Sequence, residues 1–428
     1  MSMEFSSVQE ALEKKEGKFR LRGWVYRHRV TKNAVFMLLR DATGVIQCVF
    51  KPDNPDFEKA SELYIESSVI IEGEVKPDER APGGAEMKAG SLQVISRGEP
   101  FPITKDQSTE FLMDIRHLSI RSQRITKAML AREKMMKYFR EFFEQEGVHE
   151  VFPPVFTVAG AEGGAELFEV PYFGKKVYLS QSAQLYLEAL IFSLEKVYSL
   201  TPSFRAEKSH TSKHLTEYWH LEAEMAFWDQ EKNMEFQECM VSYVCQKMAE
   251  NDKALLEYFG RKPSDLKKVE PPFHRMSYDE AVAELQKKGL EIEYGEDPGA
   301  PHEEALTKGL DKPLFLHSFP EDMKAFYMQP DENNPGKVKA ADMLAPEGHG
   351  EIIGGSERIW KKDLLEEKIR KFGLNPNDYK WYVDLREYGS VPHSGFGLGT
   401  ERMLKWVLNL PHIRDVVPFP RTVNRYYP

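Results

Sequence analysis

The chain has 428 residues, of which 41% are hydrophobic and 29% are charged, and its formal net charge is -10 at pH 7. This length allows two or three domains around a large buried core. No stretch is apolar over the roughly 20 residues that cross a bilayer, and the first residues lack the basic-then-apolar order of a secretory signal. We therefore expect a globular protein of the cytoplasm. The acidic charge disfavours a protein whose whole surface binds nucleic acid, although it allows a local basic groove.

The three cysteines are Cys48, Cys239 and Cys245. They cannot make a disulfide framework, and none lies in a CxxC pair with further ligands at zinc spacing. We therefore interpret all three as structural residues.

Short runs of alternating apolar and polar residues fill the first part of the chain. They predict strands at residues 19–25, 35–40, 45–50, 68–75 and 92–95, with a helix at 57–65. Five strands with one helix favour an OB-type barrel, a common reader of single-stranded nucleic acid. The pattern alone is equally compatible with another small barrel.

A proline-containing stretch at residues 98–102 precedes a long helical pattern at 125–145, which Gly147 ends. We therefore predict a barrel domain at 1–98, a hinge at 99–124 and a second domain at 125–428. This second domain has predicted strands at 176–179, 197–205, 217–227, 314–316 and 325–328, and predicted helices at 184–195, 231–250, 278–288 and 361–372. Because the strands come in neighbouring runs rather than in regular βαβ alternation, we expect an α+β fold with a mixed or antiparallel sheet.

A glycine-rich string lies near the end of the chain, where Gly395, Gly397 and Gly399 precede Arg402 and a helical run at 403–410. It lacks the order of a P-loop, and its context argues against a dinucleotide fingerprint. Closely spaced glycines let a backbone approach a ligand, and the arginine offers a planar cation for a base or a phosphate. The alternative is tight packing of a strand on a helix, which selects the same glycines.

A second candidate is Arg205, at the end of a predicted strand that is followed by a polar loop and a returning strand. Such a hairpin can aim Arg205 at a phosphate while Glu207 accepts a hydrogen bond from an adenine amino group or a terminal hydroxyl. A surface Arg–Glu pair is the alternative interpretation.

Taken together and in this order, residues 147–154, 204–224 and 395–402 resemble the three signature motifs of the class II aminoacyl-tRNA synthetases. The strings at 180–186, 205–208, 350–356 and 392–399 are similar to the aspartate/asparagine subgroup in its archaeal form. The resemblance covers nearly the whole chain. It implies an OB domain that reads the anticodon, a six-stranded antiparallel catalytic sheet flanked by helices, and a homodimer with the first motif at its interface.

The resemblance also implies ATP and Mg²⁺ as cofactors and a reaction without a protein nucleophile. The amino acid's carboxylate attacks the α-phosphate of ATP, and a ribose hydroxyl of the tRNA then attacks the anhydride, so catalysis is positioning and charge neutralisation. By motif position, Arg205 and Arg402 are the catalytic residues. The residues that match the ATP site are Arg205, Ala206, Glu207, Lys213, His214, Leu215, Tyr218, Glu351, Gly399, Thr400, Glu401 and Arg402.

Among these, the resemblance implies that Arg205 contacts the α-phosphate and the substrate carboxylate, and that Arg402 contacts the γ-phosphate and adenine. Tyr218 would stack on the other adenine face, and His214 would contact the outer phosphates.

The matched Mg²⁺ ligand is Glu351, with Asp342 as a second. Gly354 stands where related aspartate enzymes often place a serine hydroxyl, which puts the second direct ligand in question. In the barrel, Phe36 matches an aromatic that stacks on an anticodon base, and Gln47 matches a base-reading position.

The residues that match the amino-acid site are Glu162, Gln184, Leu187, Arg205, Glu222, Arg358 and Ser394. Glu162 matches an acidic loop residue that holds the substrate's ammonium group. Its other interpretation is a solvated carboxylate in a turn.

Aspartate and asparagine are nearly isosteric, so charge must decide between them. The aspartate enzymes place a lysine at the position of Leu187 and an arginine at that of Arg358, so one cation is missing here. Glu222 stands where they have an aspartate, and its longer carboxylate could accept from an amide NH₂ while repelling a carboxylate. Ser394 also fits the asparagine pattern, whereas Glu357, in place of a usual glutamine, could alter the orientation of Arg358. The pattern indicates asparagine and tRNA(Asn) as substrates.

Three alternatives stay open at this point. The first is an aspartate enzyme of the same subgroup, which could charge both tRNAs. The second is a paralogue that makes asparagine from aspartate and ammonia without tRNA, but such paralogues lack the anticodon barrel. The third is a non-catalytic RNA-binding regulator, which would be expected to have lost an ATP-binding residue, whereas Arg205, Glu207, Glu351 and Arg402 are all present.

Overall fold

The computed structural model describes residues 4–160, 167–208 and 214–428. The chain forms two compact units, Met1–Met113 and Asp114–Pro428. None of the helices in these described ranges has the length and apolar character of a membrane span.

The first unit is built around a closed barrel of five strands in the order β1-β2-β3-β5-β4. Apolar side chains alternate along each strand and fill the interior, as Val35, Met37 and Leu39 do on β2. The elements are α1 (Val8–Lys14), β1 (Gly17–Val30), β2 (Val35–Arg40), β3 (Val45–Phe50), α2 (Phe57–Ser61), β4 (Ser68–Pro77), a 3₁₀ turn (Pro82–Gly84) and β5 (Ala85–Ser96).

The predicted OB-type barrel is thus confirmed, and β2 and β3 have the predicted bounds. Other predicted elements have different bounds in the structure. The first strand, predicted at 19–25, extends over Gly17–Val30. The last strand begins at Ala85, because Ala85, Met87 and Ala89 continue the inward alternation before the predicted start. The helix α2 ends at Ser61 rather than at residue 65.

The second unit contains an eight-stranded sheet in the order β12-β13-β14-β15-β16-β11-β10-β6 and a small sheet in the order β7-β9-β8. The strands are β6 (His149–Glu150), β7 (Phe156–Thr157), β8 (Glu169–Tyr172), β9 (Lys175–Leu179), β10 (Lys196–Phe204), β11 (Glu217–Ala226), β12 (His274–Ser277), β13 (Leu314–His317), β14 (Ala340–Ala345), β15 (Gly350–Glu357) and β16 (His393–Gly399). The six central strands of the large sheet pair antiparallel, and the two outermost pairings are parallel. The expected antiparallel sheet is therefore the middle of a mixed one.

Helices cover one face of this sheet, where residues of α5, α7 and α14 share a core with β11 and β16. The helices are α3 (Thr109–Asp114) at the boundary between the units, then α4 (Arg116–Ser119), α5 (Gln123–Gln145), α6 (Gln184–Leu194), α7 (Gln230–Asn251), α8 (Lys253–Tyr258), α9 (Pro263–Leu266), α10 (Tyr278–Lys287), α11 (Ala300–Thr307), α12 (Lys362–Lys371), α13 (Lys380–Glu387) and α14 (Thr400–Val407), with 3₁₀ turns at Glu321–Met323 and Ile413–Val416. The α+β class is confirmed.

The predicted strand at 325–328 is wrong. This segment makes only an isolated bridge, between Met328 and Arg358. Phe326 and Tyr327 are both buried, and two consecutive inward side chains do not fit the alternation of a strand. The apolar run packs into a hydrophobic cluster instead of a ladder.

Candidate active site

Strand β11 supplies the polar wall of a cavity of about 520 Å³. Because side chains alternate across a strand, one face of β11 carries the core residues Leu221 and Met225. The other face points into the cavity with Tyr218, His220, Glu222 and Glu224. The alternation of a single strand therefore separates the hydrophobic core from the site.

The glycines of β16 make room for the side chains of this wall, since β16 pairs with β11. A Cβ atom on Gly397 would lie 2.5 Å from Nε2 of His220, and one on Gly395 would collide with the carboxylate of Glu224. Any side chain at either position would displace these groups. One interpretation of the sequence was that close packing against a helix requires these glycines. Close packing does require Gly395 and Gly397, but the side chains packed against them, Glu224 and His220, belong to strand β11.

Four of the predicted ATP-site residues that line the cavity are Arg205, Tyr218, Glu351 and Arg402. The backbone N–H of Arg205 donates to Thr216 O at 3.0 Å, which closes the base of the hairpin, and its guanidinium carbon lies 5.6 Å from the ring centroid of Tyr218. Nη1 of Arg402 lies 3.1 Å from Oε2 of Glu351. These four side chains line the same cavity. The structure thus brings together the residue that follows β10 and residues of β11, β15 and α14.

His214 lies beside them and lines the cavity with Leu215. Burial lowers the pKa of His214, and the charge of Arg402 lowers it further. The imidazole is therefore neutral at pH 7 and can donate only one hydrogen bond. Glu207 lies on a smaller neighbouring cavity, which Arg205 and His214 also line.

Two further predicted residues are held by contacts within the protein. Thr400 is buried, its hydroxyl donates to Trp219 O at 2.9 Å, and it is not among the described residues that line the large cavity. Glu401 reaches the cavity lining, but its carboxylate accepts from Nη2 of Arg132 at 2.7 Å and from the backbone N–H of Trp219 at 3.2 Å. Both residues fix the start of α14, which carries Arg402. Ala206 is partly buried beside Arg205.

The two predicted metal ligands lie on neighbouring strands, Asp342 on β14 and Glu351 on β15. A Cβ atom on Gly354 would lie 3.5 Å from Oδ1 of Asp342 and 3.7 Å from Oε1 of Glu351, so both carboxylates face the same point. Burial raises the pKa of Asp342 to about 6, although the ammonium of Lys324 opposes this shift. Converging carboxylate oxygens suit Mg²⁺, which keeps several of its waters. The donor set therefore fits the implied ion.

The predicted specificity residues Leu187, Glu222 and Arg358 line the same cavity. Arg358 is 3% exposed and donates from Nε and Nη2 to both oxygens of Glu224, at 3.0 and 3.1 Å, and from Nη1 to Oγ of Ser356 at 2.7 Å. These bonds use three of the five N–H groups of a guanidinium. Glu357 does not disturb this geometry, because it pairs with Lys339 at 3.4 Å.

Glu222 faces the same space and is also buried. It accepts hydrogen bonds from the hydroxyl of Ser182 and, at 2.8 Å, from the backbone N–H of Ala183. Burial raises the pKa of Glu222, while these hydrogen bonds oppose the shift. Leu187 lines the cavity with an aliphatic side chain. Gln184 also lines it, and its Nε2 donates to Oε1 of the buried Glu188 at 3.0 Å.

Ser394 lies apart from this group. It is buried, its hydroxyl donates to Asp229 O at 3.2 Å, and it is not among the described lining residues. The predicted residues Glu162 and Lys213 lie outside the described residues.

Sequence reasoning missed four charged residues of the cavity, which are Glu224, Asp297, Asp322 and Lys324. Glu224 could have been found, because it follows Glu222 by two positions on one strand and must share its face. Lys324 lies after a 3₁₀ turn, where no periodic signal exists, and lines the cavity with its ammonium group 2.5 Å from Oδ2 of Asp342.

In the barrel, the two predicted anticodon residues share the outer surface. Phe36 is partly exposed on β2, with the guanidinium of Arg29 4.7 Å from its ring centroid. Gln47 pairs with Leu38 across β2 and β3, which places it on the same face as Phe36. Its Nε2 donates to Glu86 at 3.0 Å. The outer face thus combines an aromatic ring, a cation and an amide.

The family model described as tRNA synthetases class II (D, K and N) matches residues 108–423, and that of the OB-fold nucleic acid binding domain matches residues 19–95. The chain therefore belongs to the class II tRNA synthetases of this group. Curated asparagine–tRNA ligases are among the relatives of this chain. The one from Thermococcus gammatolerans is 54% identical over 416 residues, which cover 96% of this chain and 97% of that protein.

Solved structures agree with this placement. The asparaginyl-tRNA synthetase from Pyrococcus horikoshii complexed with asparaginyl-adenylate superimposes with a TM-score of 0.96 at 51% identity, over the whole of both chains. The Entamoeba histolytica asparaginyl-tRNA synthetase in complex with asparaginyl-adenylate gives a TM-score of 0.90 at 34% identity, again over both whole chains.

Proposed function

We propose that the chain activates asparagine with ATP and transfers it to tRNA(Asn). One observation carries the choice of asparagine: the only predicted specificity cation, Arg358, is already neutralised by a bidentate pair with Glu224. A substrate carboxylate would meet no unbalanced positive charge there, and it would face the carboxylate of Glu222. An uncharged amide suits both groups.

Hydrogen bonding supports the same substrate. In its contacts with described residues, Arg358 donates its Nε–H and one N–H of Nη2 to Glu224, and one N–H of Nη1 to Ser356. Beyond these contacts, one N–H on Nη1 and one on Nη2 remain for a substrate. These donors are suited to an amide oxygen, and Glu222 is suited to accept from the amide NH₂. Leu187 replaces a second cation with an aliphatic wall. Aspartate would lose these matches and bury a charge.

In the activation step, Arg205 binds the α-phosphate and the attacking carboxylate, and so reduces the repulsion between two anions. Arg402 binds the outer phosphates, Tyr218 stacks on adenine, and neutral His214 donates to a phosphate oxygen. Glu351 and Asp342 would hold Mg²⁺, which neutralises charge on the departing pyrophosphate when it is bound. No protein nucleophile is needed, because each group only positions or neutralises.

Pyrophosphate exchange with each amino acid tests this function. We expect exchange with asparagine and, because unpaired polar groups in such a pocket discriminate by about 10⁴-fold, almost none with aspartate. Exchange with aspartate but not with asparagine would overturn the proposal. Free asparagine made from aspartate and ammonia in the absence of tRNA would instead support the paralogue alternative.

The barrel is proposed to read the anticodon through Phe36 and Gln47. We expect Phe36→Ala to lower kcat/KM for aminoacylation by about 10- to 100-fold, because stacking of a base on an aromatic ring is worth about 1–3 kcal/mol. Exchange should stay at the wild-type rate. Tyr64→Ala is a control, since Tyr64 is another exposed barrel aromatic at 43% exposure. An equal loss in both reactions would contradict the assignment.

We also propose that the chain forms a homodimer. The proposal rests on exposed aromatic residues in the first motif, residues 147–154, and in the strands and turn that follow it. Phe152 is 82% exposed, and Phe173 is 93% exposed, with its ring 4.9 Å from that of Tyr172. Tyr172 also contacts Phe156 at 5.7 Å between centroids. Clustered exposed aromatics of this kind mark interaction surfaces, and a second copy of the chain would cover them.

A further inference from the structure

Lys324 is held beside Asp342, one of the two proposed metal ligands. Its ammonium is 2.5 Å from Oδ2 of Asp342 and 3.6 Å from the ring centroid of Phe319, and its side chain is only 13% exposed. A lysine that contacts both an aromatic ring and a carboxylate is held beside that carboxylate as long as no stronger anion competes for it. Lys324 is therefore part of the cavity and not a mobile surface lysine.

The charges around it show what the lysine does for the site. Its ammonium pairs with the carboxylate of Asp342, and Asp297 and Glu351 line the same cavity. A lysine with acidic neighbours keeps its charge at pH 7. Glu351 has a cationic partner of its own in Arg402. Each of the two proposed metal ligands thus holds a protein cation.

We propose that Lys324 is an internal counter-cation that competes with divalent ions for Asp342 and makes tight metal binding depend on the nucleotide. This inference rests on the proposed metal ligands Asp342 and Glu351. A divalent ion between these carboxylates would come close to the ammonium, and like charges at short range in a partly buried site repel each other. The protein without nucleotide consequently binds the ion weakly.

The nucleotide removes this obstacle. Its phosphates carry several negative charges and attract both Lys324 and Arg402, so the ammonium passes from Asp342 to a phosphate oxygen. The carboxylate of Asp342 would then be free to hold the ion, and the negative phosphates would favour its binding. By reciprocity, the nucleotide raises the affinity for metal by the same factor as the metal raises the affinity for nucleotide. Lys324 is thus a positioning residue that couples the two ligands.

Mn²⁺ binding to the full chain, followed by electron paramagnetic resonance of the free ion, tests the proposal without any turnover. Lys324→Met keeps an unbranched stem for Phe319 but removes the charge. We expect the variant to bind Mn²⁺ at least about tenfold more tightly than wild type in the absence of nucleotide. The increase in Mn²⁺ affinity on adding a non-hydrolysable ATP analogue should shrink correspondingly. Equal or weaker Mn²⁺ binding by the nucleotide-free variant would overturn the proposal.

Matched variants test whether the gain in Mn²⁺ affinity comes from removing the charge of Lys324 beside Asp342. Lys324→Arg keeps the charge and should show no gain, and adding Asp342→Asn to Lys324→Met should remove the gain. Lys339→Met is a control outside the cavity, because Lys339 pairs with Glu332 at 2.8 Å and with Glu357. If Lys324→Met is too unstable to titrate, Lys324→Gln takes its place, with the same expected gain and the same contradicting outcome.

The outcomes also separate this inference from the proposed metal site. If wild type binds Mn²⁺ neither with nor without the ATP analogue, and Lys324→Met also fails to bind it, the assignment of Asp342 and Glu351 is wrong. If wild type binds Mn²⁺ with the analogue and nucleotide-free Lys324→Met gains nothing, only the role of Lys324 is wrong.

Discussion

Replacing Arg205 with alanine is expected to lower asparagine-dependent pyrophosphate exchange by about 10³-fold, because preorganised charges at the reacting phosphate contribute most in the transition state. The hairpin holds the guanidinium at the cavity through the bond from Arg205 N–H to Thr216 O. Binding of tRNA should stay close to wild type, since the anticodon surface lies in the other unit. Exchange and a fluorescence titration with tRNA measure the two effects separately.

Arg124→Ala provides a matched control for this experiment. Arg124 belongs to the same unit, and its side chain is 52% exposed. Its guanidinium lies 3.4 Å from the carboxylate of Asp415, and such an exposed ion pair contributes little to stability. Its removal should leave both exchange and tRNA binding unchanged. Normal exchange by the Arg205 variant would refute the assignment of the α-phosphate contact, whatever the control shows.

Replacing Arg358 with leucine is expected to have two large effects. Asparagine exchange should fall by about 10³-fold or more in kcat/KM, because the donors to the side-chain amide are lost. Stability should fall by about 3–5 kcal/mol, because Glu224 would remain as a buried charge without its partner. Exchange kinetics and urea unfolding measure these losses.

A second variant separates the two roles of Arg358. Combining Arg358→Leu with Glu224→Leu removes both buried charges, and replacing a buried ion pair with apolar side chains is often neutral for stability. We therefore expect the double variant to regain most of the lost stability but none of the exchange activity. Recovery of exchange together with stability would mean that Arg358 serves only the fold and does not contact the substrate.

Much of the fold follows from local patterns. The strands β2 and β3 and the long helix α5 were predictable because a period of two or of 3.6 residues shows which side chains face the core. The same reasoning failed at residues 325–328, where neighbouring Phe326 and Tyr327 both turn inward. Apolar composition does not distinguish a strand from a buried loop when the contacts lie far away in the chain.

The candidate site likewise has features that local sequence patterns predict and features that depend on contacts between distant parts of the chain. Alternation along β11 by itself places Tyr218 and Glu222 on one face. The motif resemblance named the residues that we propose to bind the phosphates. Two contacts that define its electrostatics were not predictable: Arg358 meets Glu224 across 134 positions of sequence, and Lys324 meets Asp342 across 18.

The sequence by itself therefore determined the family and the two kinds of domain, because these are encoded in local periodicity and contiguous motifs. The same motifs named the residues that we propose to bind the nucleotide. Only the tertiary structure decided which charge neutralises which. Coulomb interactions depend on distance in space and on burial, and strand pairing across the sheet sets both. For this reason Arg358 proves to be a neutralised donor and not a free cation, a distinction on which the choice of asparagine rests.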